Sequence, residues 1–276
     1  MATDFFARLC RIAALVLLAG GAVAPAAAST TIAIGGTGSA LPALRALADR
    51  FQADHPGILV DVPSSLGTNG GIRAVTAKAI DLSVSARPLT AAENAAGLHA
   101  VAWGRTPFMV VVSPKVGESA ITLDGLADIL TGRQSHWSNG DPITPVLRPP
   151  SDSDSTILAA ASPALAAALD TAHARPGMLI AVTDQDAAAM ISTAHGAIGT
   201  LTLVQKIAEG LTVKPLTLDG RTPDAAALAA GLYPLSKTYW IVVGPAPSAE
   251  AQAFLAYLTS PQAFRLLDSF GMIPPP

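Results

Sequence analysis

Short apolar runs alternate with glycine-rich breaks and amphipathic stretches along most of the chain. Residues 30–34 form a β-branched run, followed by Gly35, Gly36, Thr37, Gly38 and Ser39. Leu41, Leu44, Leu47, Ala48 and Phe51 then recur at helical spacing, which predicts one buried helix face. His55-Pro56-Gly57 ends that helix, and residues 58–62 read as the next strand. Residues 67–71 break the chain with three glycines, a helix is predicted over 72–79, and a third strand over 80–84. Strand, glycine turn, helix and strand in repetition predict an α/β fold with a mostly parallel sheet. Residues 108–112 make a strand long enough to cross between two lobes. Beyond it the pattern predicts a helix over 123–130, a loop over 134–141 and a strand over 143–147. An Ala/Leu-rich helix is expected after residue 156, and further strands at 178–183, 197–200 and 211–218. Residues 239–243 form a strand that can cross back, and residues 248–258 and 261–270 two closing helices.

The N-terminus changes the picture. Arg8 and Arg11 precede an apolar stretch, residues 12–23, and Pro25 and three alanines follow it, as in a secretory signal ending near Ala28. The stretch falls short of the ~20 residues of a membrane span. Cys10, the chain's single cysteine, precedes the apolar stretch and would leave with the signal, so no disulfide or cysteine-ligated metal is expected. Half of the 276 residues are hydrophobic and 13% are charged, enough for a large core and more than one lobe. The formal charge is −3, and loss of Asp4, Arg8 and Arg11 with the signal takes it to −4. That balance excludes the basic face of a nucleic-acid binder. An acidic chain binds an anion only through local dipoles and specific donors.

Three segments have that character: residues 36–40, 67–71 and 151–156, each a cluster of Gly, Ser, Thr or Asp between a strand and a helix. A helix start leaves N–H groups unpaired and carries about half a positive charge, so such ends bind anions. Each segment also reads as simple helix capping. Arg148, just before the third, offers a planar fork to paired oxygens, or is a surface arginine before a proline turn. Arg87 reads as a loop brace and Arg73 as solvated. Gly36-Thr37-Gly38 is no dinucleotide fingerprint, because Leu41 stands where the last glycine belongs. His55, His99, His136, His173 and His195 lack metal-binding spacing, and no G-x-S-x-G elbow is present, so an enzyme is not expected.

Five blocks resemble the phosphate-binding subunit of ABC phosphate importers, a family of two-lobed periplasmic binding proteins. They are residues 36–42, 67–72, 81–89, the loop from Arg148, and residues 231–235. The resemblance implies two α/β lobes, each a mixed sheet flanked by helices, with the ligand in the cleft between them. It implies a first lobe over residues 29–111, an inserted lobe over 112–235, and a return over 236–276. It places the ligand on Ser39, Ala40, Leu41, Thr68, Asn69, Ser85, Arg148, Asp152, Ser153, Asp154 and Ser155. At Ala86 the family offers an acidic or hydroxyl group, which is absent here. Asp152 or Asp154 would replace that acceptor for the proton of phosphate, or both are helix caps. The resemblance further implies a periplasmic monomer without cofactor or metal that delivers phosphate to an ABC permease in the inner membrane. The alternatives are another small anion (sulfate, molybdate or a phosphonate-like solute) and a sensor or interaction module without a transport partner; a hydrolase ranks last.

Overall fold

The computed structural model describes residues 29–275, so the predicted signal segment lies outside the described residues. The chain opens with β1 (Thr30–Gly36), a single 3-10 turn, α1 (Leu41–Asp54), β2 (Ile58–Asp61), α2 (Gly67–Thr76), β3 (Leu82–Ser85), α3 (Ala91–Ala95) and the long β4 (His99–Val112). The middle of the chain holds β5 (Ala120–Ile121), α4 (Leu123–Thr131), β6 (Thr144–Leu147), α5 (Ser153–Ala161), α6 (Pro163–Ala174), β7 (Leu179–Ile180), α7 (Asp184–Thr193) and β8 (Ala197–Thr202). It closes with α8 (Leu203–Ala208), β9 (Lys214–Pro215), β10 (Thr217–Leu218), α9 (Ala225–Ala229), β11 (Ser236–Val243), α10 (Ala249–Leu258) and α11 (Pro261–Ser269).

The main sheet runs β2-β1-β3-β11-β4-β8-β6-β7, with β9 paired to β4. β1 pairs in parallel with β2 and β3, and β11 is antiparallel to β3 and β4. β4 serves both halves of the molecule. Its first part, from His99 to Pro107, pairs with β11, and its last part, from Phe108 to Val112, pairs with β8. This is a mixed α/β architecture of two lobes, as expected. β4 is longer than the predicted strand because its N-terminal end is solvent-exposed, from His99 to Ala102, and so carries no uniform apolar signal.

The first lobe buries Ile32, Ile34, Leu44, Leu47 and Phe51 against Trp103, Tyr239 and Phe254. In the second, Phe108, Val110 and Val112 pack with Leu126, Trp137 and Leu165, while Met109 and Val111 pack on the other sheet face with Ile191 and Leu201. Successive β4 residues point to opposite faces; both faces are covered here, so the run is continuously apolar. Three buried polar side chains near the crossing are paired. Trp103 Nε1 donates to Leu258 O at 3.0 Å, Thr106 Oγ1 to Gly271 O at 3.0 Å, and Tyr233 OH to Phe108 O at 3.0 Å.

α2 departs from the expectation. It begins at Gly67, so the glycine-rich stretch read as a break is its first turn. Glycine weakens helices, but here packing overrides propensity. A Cβ on Gly71 would lie 2.7 Å from Gly36 Cα and 2.2 Å from Ser83 Oγ, so only glycine lets α2 sit this close to β1 and β3. The strand expected over 211–218 is two short pieces, β9 and β10, and β10 leaves the main sheet to pair with β5.

Candidate functional site

Two helix starts, one from each lobe, border one cleft. Gly67, Thr68, Asn69, Gly70 and Arg73 of α2 line one side, and Pro149, Ser151, Asp152, Ser153 and Val182 line the other, around a volume of about 250 Å³. An adjoining recess of about 120 Å³ shares Thr68, Asn69, Ser151 and Ser153 and adds Ala86 and Arg87. Both helices are long enough, at 10 and 9 residues, to carry a useful dipole. Thr68 Oγ1 accepts from the Ala86 amide at 3.0 Å, which leaves its own proton for a solute in the cleft. Asn69 Oδ1 accepts from Arg87 Nε and Nη2 at 3.1 and 2.9 Å, and the same guanidinium pairs with Glu93 at 2.8 Å. The hydrogen bond from Arg87 holds the Glu93 carboxyl down at about 2, against its partial burial. Arg87 thus braces the rim, as read from the sequence. Ser85 serves the same turn: it is buried, donates to Arg87 O at 2.6 Å and accepts from Arg87 N at 3.2 Å. Arg73, expected in solvent, is exposed but stands on the cleft wall.

Adjoining the cleft at Asp152 lies a cluster of buried charge. Arg148 is only 5% exposed; its Nη1 donates to Ala181 O at 2.8 Å and its Nη2 to Asp152 Oδ2 at 2.9 Å. Asp152 is also the N-cap of α5, accepting from Asp154 N at 2.9 Å through Oδ1. Asp152 therefore fills the capping role, one of the two alternatives the sequence left open, while its other oxygen pairs with Arg148. Asp154 caps nothing: it is 2% exposed and receives a 2.6 Å bond from Lys237 Nζ. Lys237 Nζ also lies 3.5 Å from Asp184 Oδ1, and Arg148 Nη2 lies 3.7 Å from Asp184 Oδ2. Ser155 is buried and donates to Arg148 O at 3.1 Å, and Ser153 faces both parts of the cleft.

The first loop sits apart from the α2–α5 cleft. Ser39, Ala40 and Leu41 are fully buried, and Ser39 Oγ accepts from Tyr239 OH at 3.0 Å. Gln185 of α7 covers the loop, donating to Gly38 O at 3.0 Å. The structure brings Thr68, Asn69, Asp152 and Ser153 together at the cleft, and gathers Arg148 and Asp154 with Asp152 in the cluster.

Lys237 and Asp184 escaped the sequence reading. Lys237 carried a usable signal: in β11 the buried positions alternate, and Lys237 occupies the inward register shared with Tyr239 and Ile241. A lysine in that register must find carboxylates. Three carboxylates, Asp152, Asp154 and Asp184, here face two cations, so the cluster holds one acid in excess. Burial raises the Asp154 pKa to about 6, with Lys237 opposing and Asp184 and Asp152 adding to the rise. Burial acts on Asp184 in the same sense, but Lys237, Arg148 and the Ser39 amide outweigh it and hold its pKa below the ordinary carboxylate value.

These opposite directions have a measurable consequence. Asp154 binds its proton more tightly folded than unfolded, so its contribution is complete below 3.8 and is lost as pH rises through about 6. Asp184 and Glu93 act the other way, contributing above their ordinary values and losing that contribution as pH falls. Urea denaturation from pH 4 to 7 is expected to show a decline for the wild type that Asp154→Asn flattens. An equal slope in the variant would show that Asp154 does not hold the proton.

Residues 21–262 match the family model of the PBP superfamily domain. The phosphate-binding protein PstS of Bacillus subtilis (strain 168) is 28% identical over 242 residues, covering 84% of this chain and 76% of that protein. Among solved structures, a candidate phosphate ABC transporter substrate-binding protein of Clostridium perfringens, with bound phosphate, superposes with a TM-score of 0.77 at 17% identity. The match covers 90% of this chain and 100% of that one. An ABC-type phosphate transport receptor from Vibrio cholerae gives a TM-score of 0.64 at 21% identity, over 88% and 100% of the two chains.

Proposed function

The chain belongs to the PBP superfamily, and from that premise we propose that it is an extracytoplasmic solute-binding protein that captures phosphate, or a similar tetrahedral oxyanion, for an ABC importer. The observation that carries this reading is the facing of two helix starts, α2 and α5, across one cleft with Thr68 and Ser153 at its walls. Backbone amides and hydroxyls there supply donors without requiring a basic protein. The relatives named above, phosphate binders by name, support the choice of solute. In this reading the inserted lobe runs over residues 112–235, the solute bridges it to the first lobe, and the loaded form docks as a periplasmic monomer on an inner-membrane permease. Capture and release involve no reaction.

The neighbouring cluster, with its excess carboxylate, sets the charge that suits the cleft. An oxyanion that carries a proton can donate to a carboxylate, whereas a fully deprotonated one is repelled. Asp152, which lines the cleft, is the acceptor in reach. Calorimetric titration with phosphate, arsenate, sulfate and molybdate tests the reading: phosphate and arsenate are expected to bind and sulfate to fail. Thr68→Val, which removes the hydroxyl proton but keeps the shape, is expected to weaken phosphate by roughly 1.5–3 kcal/mol, the worth of a hydrogen bond to a charged group. Phosphate heat that is absent in the wild type, or unchanged in Thr68→Val, places the solute elsewhere.

A further inference from the structure

Asp184 stands where a small anion would be held. It is the first residue of α7, and its side chain reaches from the second lobe toward the first loop. Its Oδ1 lies 3.5 Å from Lys237 Nζ and its Oδ2 lies 3.7 Å from Arg148 Nη2. The Ser39 amide adds to the pull on this carboxylate. Against the same oxygen lies Gly38: a Cβ built there would come within 2.8 Å of Asp184 Oδ2 and 2.5 Å of Gln185 Oε1. Gly38 is not among the residues with a positive φ, so what it supplies is room and not an unusual backbone. An ammonium, a guanidinium, a backbone amide and a bare Cα form a receptor for a carboxylate or another small oxyanion, and the chain fills it with its own side chain. Neighbours pin the occupant: Gln185 Nε2 donates to Gly38 O and to Glu209 Oε1, both at 3.0 Å, and Gln205 Nε2 to Asp184 O at 3.1 Å.

The receptor draws on both lobes. Gly38 and Ser39 belong to the first, Arg148 and Asp184 to the second, and Lys237 to the strand that returns between them. We infer that Asp184 is a resident anion: it fills an inner anion subsite formed by Arg148, Lys237 and the Gly38–Ser39 backbone, holds the two lobes together in the empty protein, and must withdraw before an external oxyanion can reach Arg148 and Lys237. This deepens the proposed capture of an oxyanion and rests on that reading only for the identity of the natural solute. While Asp184 is in place, the solute meets the outer cleft at Thr68 and Ser153. A ligand admitted further in must match what it displaces: one negative charge and two oxygens.

Asp184→Ala tests the inference. The variant leaves Asp152 and Asp154 against Arg148 and Lys237, two acids against two bases, so it is not burdened with uncompensated charge. Acetate and formate are expected to raise its Tm saturably, with chloride at equal ionic strength as the control, while leaving the wild type unmoved. Its affinity for inorganic phosphate is expected to rise by about tenfold or more, because two charge-assisted partners become available without a competitor. A folded Asp184→Ala that responds to acetate, formate and phosphate no more than the wild type overturns the inference. Should that variant fail to fold, Asp184→Asn keeps the volume and removes the charge. Small-angle scattering is then expected to show the solute-free variant more expanded than the wild type, and an unchanged radius overturns the inference. The two readings fail separately. A wild type that ignores phosphate while acetate rescues Asp184→Ala removes phosphate capture alone. A wild type that binds phosphate through Thr68, with Asp184→Ala indistinguishable from it, removes the resident anion alone.

Discussion

Lys237→Met is expected to cost about 3–5 kcal/mol of folding stability, the range for removing one partner of a buried ion pair. Methionine nearly fills the volume of lysine, so the loss is one of charge and not of packing. Lys237 is 1% exposed and its ammonium serves Asp154 at 2.6 Å and Asp184 at 3.5 Å. Without it Arg148 alone faces three carboxylates, and at least one must take up a proton to remain buried. Urea denaturation near neutral pH reads the cost directly. Added salt is not expected to change it much, since screening acts on exposed charge. Asp154→Asn in the Lys237→Met background is expected to return part of the loss by removing the acid that lost its nearest partner. A loss under about 1 kcal/mol in Lys237→Met would mean that the ammonium behaves as a solvated surface charge.

Gly36→Ala is expected to cost on the order of 3 kcal/mol or more, from two independent sources. Gly36 has φ 122°, a conformation that side-chain-bearing residues rarely adopt. A Cβ there would also fall 2.1 Å from Val84 O and 2.8 Å from Val84 N, backbone atoms that cannot rotate away. Val84 O accepts from Thr37 N at 2.9 Å, so the methyl group would force apart the end of the β1–β3 pair. Gly57→Ala is the control, because nothing lies within 4 Å of the added group and φ is unexceptional. Thermal melts of the two variants are expected to separate widely, and similar Tm values would show that the β1 terminus yields to accommodate a side chain.

The N-terminal α/β pattern was legible because its signals are local. The run at 30–34, the heptad-like spacing from Leu41 to Phe51, and the stop at His55-Pro56-Gly57 sit within a few residues of one another. The start of α2 was not legible, because what licenses glycine at position 71 is the proximity of Gly36, 35 residues earlier, together with Ser83. The site divides in the same way. Thr68, Asp152 and Ser153 could be named from the turns they occupy. Arg148 could be named from its chemistry, although its guanidinium is engaged by the protein itself. The pairing of Lys237 with Asp154 and Asp184 spans 83 and 53 residues and follows from topology alone. Read in isolation, Asp184 is one more acidic residue opening a helix, and its role exists only once α7 has been brought to Gly38.

β4 changes partner between Pro107 and Phe108, and Phe108 N donates to Leu235 O at 3.0 Å where the second crossing begins. The two lobes are therefore joined by a ribbon that can twist but cannot lengthen, and any gaping motion must be a torsion about that pair. Lys237 lies two residues from the pivot, with its ammonium gripping acids of the far lobe. Loss of the charge on Asp184, whose ionised form the fold favours, would loosen the pivot itself, so acidity and mechanical compliance are wired to the same axle.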